Sequence, residues 1–258
     1  MSVLATQVGA IAGRSVRKTL RQPASSIPPL VFPVALMLVN AGGLKASTLL
    51  PGFPTDSFLA FALAVPFIQG ALFSTMNAGT DLARDIQTGF LNRLALTPLR
   101  GSALLVGQLA GIVLLGVGQA VFYVAVGLVS GVDFESGAPG ILVLLAFSAL
   151  VSVGFGALGA FLALRTGSGE SVQGLFPVLF VFLFISSMNP PRELIAVDWF
   201  RIAATINPVS YLIECVRSLV IVGWDGTALA LGFGTALTIA VVALAAAAWA
   251  LPRRIERT

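Results

Sequence analysis

The sequence has no histidine, one cysteine and only two lysines, and charged residues fill just 10% of its 258 positions. Each scarcity excludes something. Without histidine, and with no cluster of other donors, no set of metal ligands exists and no nucleophile is paired with a base, so no catalytic residue is assigned. The lone Cys215 rules out a disulfide within the chain and reads most simply as a small packing residue. Neither Lys18 nor Lys45 sits in a G-x-x-x-x-G-K-[ST] loop, so the chain has no phosphate cradle with which to hydrolyse ATP. So little charge is incompatible with an ordinary soluble domain.

Apolar residues make up 57% of the chain, and the mean hydropathy is +0.97. A membrane-crossing helix needs about 20 mostly apolar residues to traverse about 30 Å of hydrocarbon. The gaps between successive charges supply six such stretches, at about Ser25–Leu44, Ser57–Ala78, Ser102–Gly131, Pro139–Leu164, Ser171–Met188 and Thr227–Leu251. The expectation is an all-α, polytopic membrane protein, a single domain over residues 1–258. None of these six stretches holds Asp, Glu, Lys, Arg or His, which argues against an ion-coupled secondary transporter.

Orientation follows from the basic residues. With six spans, the N-terminus, the 81–100 loop, the 165–170 loop and the C-terminal tail carry eleven lysines and arginines, against four on the other face. By the positive-inside tendency, both termini are expected in the cytoplasm. The net charge of +4 reflects this asymmetry and the anionic inner leaflet, with no nucleic-acid partner implied.

Residues 1–22 are too interrupted to span. Arg14, Arg17, Lys18 and Arg21 stack along one stripe, while Val8, Ala12, Val16 and Leu20 gather on the other, which predicts an interfacial helix with its basic side toward headgroups. In the first span, Pro28, Pro29 and Pro33 must leave carbonyls that find partners on neighbouring helices. Gln69 and Asn77 in the second span and Gln119 in the third read either as glue between helices or as contacts along a substrate pathway. Gly154, Gly156 and Gly159 read as close-packing positions.

The segment Asp81 to Arg100 is the longest charged interruption between apolar stretches. Leu82, Ile86, Phe90, Arg93 and Leu94 recur at roughly helical spacing, with Asp81 a candidate N-cap, Gly89 an interruption and Thr97-Pro98 the end. A short surface helix and a solvated loop both fit. Residues 193–222 hold two apolar pieces too short to cross, divided at Asn207-Pro208, where Asn207 suits an N-cap and Pro208 the first helical position. Leu212, Ile213, Val216, Leu219 and Val220 then share a face, and Glu214 and Arg217 are spaced to pair. Half-helices dipping from the outer face and an amphipathic cap lying on it both remain open.

Asp85-I-Q-T-Gly89-F-L-N-Arg93-L-A-L-Thr97-Pro98 resembles the segment with which permeases of type-2 ABC exporters, including the daunorubicin-resistance permeases, form a coupling helix after the second span. Asn207-P-V-S-Tyr211 is similar to the family's Asn-Pro-x-Ser/Thr-Tyr motif before the last span, and the six-span layout with an amphipathic N-terminal helix matches as well. Asp85 and Phe90 depart from the commoner glutamate and threonine. The resemblance implies a transport subunit without enzymatic activity of its own, in the plasma membrane of a bacterial or archaeal cell. Two ABC ATPase subunits holding ATP and magnesium would drive it, and it would work with a second permease, the same chain or a related one. It also implies an ATPase-coupling segment at residues 81–98, comprising Asp81, Arg84, Asp85, Gly89, Phe90, Arg93, Leu94, Thr97 and Pro98. An external motif would comprise Asn207, Pro208, Tyr211, Glu214 and Arg217. Eighteen phenylalanines and small external segments favour export of a hydrophobic or amphipathic drug or lipid, as in multidrug efflux, over a polysaccharide or teichoic-acid cargo.

Overall fold

The computed structural model describes residues 3–21, 23–90 and 101–255. Among them the chain forms helices and turns and no strand. In order, the helices are α1 (Val3–Leu20), α2 (Pro23–Gly43), α3 (Phe58–Ala62), α4 (Ala64–Gln87), α5 (Gly101–Val129), α6 (Gly137–Thr166), α7 (Gly169–Gly174), α8 (Phe176–Phe184), α9 (Asp198–Ile206), α10 (Pro208–Arg217) and α11 (Gly226–Ile255). A π turn at Ser218–Val222 extends α10.

Four helical stretches are long and apolar enough to cross a membrane: Phe58–Gln87, Leu105–Val129, Gly137–Thr166 and Gly226–Arg254. The first and fifth expected spans yield shorter apolar helices, Ile27–Gly43 and Gly169–Phe184. The second of these is divided at Leu175, ahead of Pro177. The α9 and α10 segments form a pair bent by 80° at Asn207.

The α3–α4 span is the centre of the bundle, with nearly all of its apolar window buried, whereas α11 is mostly exposed. Helix α6 joins the others through its glycines. A Cβ on Gly159 would fall 2.0 Å from the Thr75 carbonyl oxygen of α4. One on Gly156 would meet Ile112 of α5 at 3.0 Å, and one on Gly154 would meet the Ala240 backbone of α11 at 3.1 Å. The three small residues therefore admit three different neighbours, as the packing reading expected.

The prolines of α2 have the predicted consequence. Pro33 has no N–H to give the Pro29 carbonyl four residues earlier. The buried hydroxyl of Tyr123, from α5, donates to that carbonyl instead. At the end of the bundle opposite Arg165 and Arg254, the turn between α5 and α6 is stitched to the π turn: Glu135 N–H donates to the Val220 carbonyl at 3.1 Å and Ser136 N–H to that of Leu219 at 3.3 Å.

The N-terminal helix differs from the sequence expectation. It does not simply lay an apolar face on a surface and turn its basic stripe to headgroups. It packs into α5, where Gly107 and Gly111 leave room for Ile11 and Ser15: added Cβ atoms there would lie 2.6 Å and 2.4 Å from those side chains. Ser15 Oγ also donates to the Gln108 carbonyl at 2.9 Å. The packed side is thus rotated from the Val8–Val16 stripe toward Ile11, which brings Arg14 and Lys18 to its edge, within reach of Asp85 and Asp81.

Candidate functional site

Asp81 is not the cap of a separate surface helix. No proline or glycine turn interrupts the chain after Gly79, so α4 runs unbroken through Asp81 to Gln87. It ends where Gly89 takes φ +69°, a left-handed conformation that glycine adopts without steric cost. Asp81 and Asp85, four apart, therefore lie one turn apart on one face. Arg14 and Lys18, also four apart, meet them in register. Arg14 grips Asp85 with two bonds, Nη2 to Oδ1 at 2.8 Å and Nη1 to Oδ2 at 3.1 Å, while Gln108 Nε2 donates to Oδ2 at 3.3 Å. Lys18 Nζ lies 2.7 Å from Asp81 Oδ1, and the Arg14 guanidinium sits 3.8 Å over the Phe90 ring.

Asp85 and Phe90 are thus engaged within the chain, and Asp85 is only 7% exposed. Of the coupling residues expected from the sequence, Arg84 is the charged side chain left exposed at the end of α4. Arg93, Leu94, Thr97 and Pro98 lie outside the described residues. Gln87 Nε2 reaches the Gly167 carbonyl at 3.3 Å, which ties the end of α4 to the turn after α6. Beneath α1, a small cavity of about 40 Å3 is lined by Arg14, Lys18, Asn77, Asp81, Asp85 and Gln108, among others.

The three pathway candidates have different surroundings. Asn77 lines that cavity, Gln119 packs beside Gly70 at the α4–α5 contact, and Gln69 is wholly buried. Aromatic side chains make a more continuous feature. Phe32 of α2, Phe73 of α4 and Phe176, Phe180 and Phe184 of α8 form a chain of ring contacts with centroids 4.5 to 6.3 Å apart. Its outer members Phe32 and Phe184 are exposed.

At the other end, Asn207 caps α10 as its position beside Pro208 suggests. Its Oδ1 accepts from Val209 N–H at 2.9 Å. Its Nδ2 donates to the Phe182 and Ile185 carbonyls at 2.6 and 2.8 Å, so one side chain closes the end of α8 and opens α10. The Tyr211 hydroxyl donates to the Thr205 carbonyl at 2.7 Å, bracing the bend.

Glu214 and Arg217 do not form the expected pair. Glu214 binds Arg192, whose guanidinium also lies 4.7 Å over the Tyr211 ring. Partial burial works to lower the Arg192 pKa, but the Glu214 carboxylate and Tyr211 outweigh it and raise it on balance. Arg217 is buried. It donates to the Phe61, Ser187 and Met188 carbonyls and lies 3.4 Å over the Phe61 ring. Helix α10 brings Arg217 to the point where α3 and the turn after α8 leave carbonyls unpaired, so those groups outcompete a carboxylate one helical turn away.

Sequence alone does not mark Arg14, Lys18, Gln108 and Arg192 as site residues. The signal for the first two was the matched spacing of Arg14/Lys18 and Asp81/Asp85; for the packing it was Gly107-x-x-x-Gly111.

A bundle of long apolar helices with an intramembrane glycine hub and a basic, ion-paired end defines a multi-pass membrane protein. The ABC-2 type transporter family matches residues 6–221, and the chain belongs to that family, as a type-2 ABC permease. It is 29% identical over 197 residues to the daunorubicin resistance ABC transporter permease protein DrrB1 of Streptomyces coeruleorubidus, covering 74% of this chain and 65% of that protein. It is 27% identical over 228 residues to the putative transport permease ycf38 of Pyropia yezoensis, covering 87% of this chain and 77% of the relative. Against the protein of the same name from Porphyra purpurea it is 27% identical over 214 residues.

Proposed function

We propose that the chain is the transmembrane half of an ATP-driven exporter, inserted with six spans and both termini in the cytoplasm of a bacterial or archaeal cell. ATPase subunits supplied as separate chains hold ATP and magnesium and press on the segment following α4. The observation that carries this reading is the way the end of α4 is fastened. Asp85 and Asp81 bind the N-terminal helix, and Gln87 binds the turn after α6. A displacement applied at residues 88–100 would pass at once into α1, α4, α5 and α6 without first taking up slack. On this reading Arg84 and Arg93 are the polar contacts with the ATPase, and Asp85 and Phe90 hold the contact surface in shape from behind.

Cargo is a hydrophobic or amphipathic drug or lipid moved outward, between this chain and a second permease. The chain of phenylalanines from Phe32 to Phe184 supports an apolar wall, since aromatic rings offer large contact area without demanding hydrogen bonds. The relative named for daunorubicin resistance supports the same class of cargo.

The test is co-reconstitution with a partner ABC ATPase identified by copurification, reading stimulated ATP hydrolysis and dye or drug export. Arg84→Glu and Arg93→Glu are expected to insert normally and abolish both activities. Normal export by either well-inserted variant would remove the proposed contact, and export driven by an ion gradient alone would remove the whole reading.

A further inference from the structure

The C-terminal ends of α6 and α11 gather three arginines. The Arg165 and Arg253 guanidinium carbons lie 5.4 and 3.6 Å from the centroid of one ring, Trp249. Arg254 lies against Gly167, where an added Cβ would meet its Nη2 at 2.4 Å. Among the described residues the ion pairs join Arg14, Lys18, Arg192 and Arg201 to carboxylates, and none involves these three arginines. Arg254 Nε is buried without a partner among the described residues. Arg253 also donates to the Trp249 carbonyl at 3.3 Å, so among the described residues these guanidiniums meet an aromatic ring and a carbonyl but no carboxylate, and their charge attracts an anion.

An open apolar groove of about 700 Å3 starts beside this cluster and runs along α6 and α11 toward the other end of the bundle. Leu158 and Phe161 form one wall, and Thr238, Val242 and Ala246 the other. Phe161 precedes Arg165 by four residues and Ala246 precedes Trp249 by three and Arg253 by seven, so the groove ends one helical turn from Arg165 and Trp249 and two turns from Arg253. Val242 and Trp249, seven apart, share the exposed face of α11.

We propose that this groove is a binding site for an anionic phospholipid of the leaflet at the arginine-rich end, with an acyl chain along Phe161, Val242 and Ala246 and its phosphate beyond the end of the groove, drawn to Arg165 and Arg253. Apolar length and phosphate charge are the two properties the site matches together. Trp249, half-exposed and beneath a guanidinium, marks the level where hydrocarbon meets headgroups. A second copy of this chain is a poorer occupant, because a two-fold interface on this face would bring the arginine clusters toward each other. A cytoplasmic ATPase could reach the arginines but not the groove. The groove shares no lining residue with the coupling segment, although Arg254 packs on Gly167, which also holds Gln87, and the site does not depend on what cargo is exported.

The full-length protein, purified in detergent, is titrated with phosphatidylglycerol, phosphatidylcholine or inorganic phosphate and the bound species are counted by native mass spectrometry. Phosphatidylglycerol is expected to bind in preference to phosphatidylcholine. R165Q/R253Q should weaken phosphatidylglycerol binding roughly 30-fold, from the loss of two charges near the headgroup plane. Both arginines are exposed, so this variant should keep its fold, and R165K/R253K should restore most of the binding. Ala246→Trp should weaken both lipids at an unchanged unfolding temperature. Equal binding of the two lipids, retention of phosphatidylglycerol by R165Q/R253Q, or its displacement by millimolar inorganic phosphate would each overturn the proposal. So would a change in dimer content on Ala246→Trp without a loss of lipid.

Discussion

Removing either partner of the Arg14–Asp85 clasp should have unequal effects, and the inequality follows from burial. The Asp85 side chain is 9% exposed and that of Arg14 is 40% exposed. In Arg14→Ala the carboxylate stays in place with only the Gln108 amide, at 3.3 Å, to replace two charged bonds. An uncompensated and mostly desolvated carboxylate costs about 2–3 kcal/mol, between the losses typical of a buried hydrogen bond and of a fully buried ion pair. In Asp85→Ala the guanidinium is already well exposed and can turn to water, so the cost is about 1 kcal/mol, in the range of a partly exposed pair. The double variant leaves no stranded charge and should be more stable than Arg14→Ala alone. The assay is reversible unfolding of each variant in one detergent, read as a double-mutant cycle and run beside ATPase stimulation by the partner subunit. Two results would refute the reasoning: Asp85→Ala costing as much as Arg14→Ala, or a stable Asp85→Asn losing ATPase stimulation while Arg14→Ala keeps it. The second would make Asp85 a direct contact with the motor.

Arg217→Ala should be among the most damaging single changes, about 3–5 kcal/mol, because three buried carbonyls lose their donor together; Arg217→Lys, with a single ammonium, should recover only part of this, and the yield of folded protein after detergent extraction distinguishes them. Tyr123→Phe should cost about 1–2 kcal/mol by orphaning the Pro29 carbonyl, and Pro33→Ala added to it should restore stability by returning a helical N–H to that oxygen, as thermal unfolding of the two variants would show. Gly159→Ala should disrupt folding, since its Cβ would collide with the Thr75 backbone, whereas Gly118→Ala meets nothing within 4 Å and should be neutral or stabilising by up to about 1 kcal/mol; the two thermal midpoints test the pair.

What could be read from the chain alone was whatever depends on near neighbours in sequence. Asn207 caps the helix that Pro208 begins because both requirements are local to four residues. The prolines of α2 announced orphaned carbonyls without saying which residue would answer; Tyr123 lies 94 positions from Pro29. The same limit explains the misreadings. The Arg14–Arg21 stripe has the period of a helix face, but whether that face meets lipid headgroups or two carboxylates on another helix is set by packing at Gly107 and Gly111. Glu214 and Arg217 are spaced to pair, yet carbonyls contributed from residues 61, 187 and 188 claim the guanidinium, and a buried cation takes the site that best replaces its water. The charged stretch after Asp81 suggested a break from the second span because charge seldom enters the membrane; the helix crosses that boundary because its carboxylates are neutralised from the side.

The three glycines of α6 have a mechanical corollary. A shaft clamped at Gly154, Gly156 and Gly159 by three different neighbours has no free axis about which to spin, and sliding it would drive backbone into backbone within a fraction of a turn. A change between inward and outward openings would then have to swing α4, α5, α6 and α11 as one block.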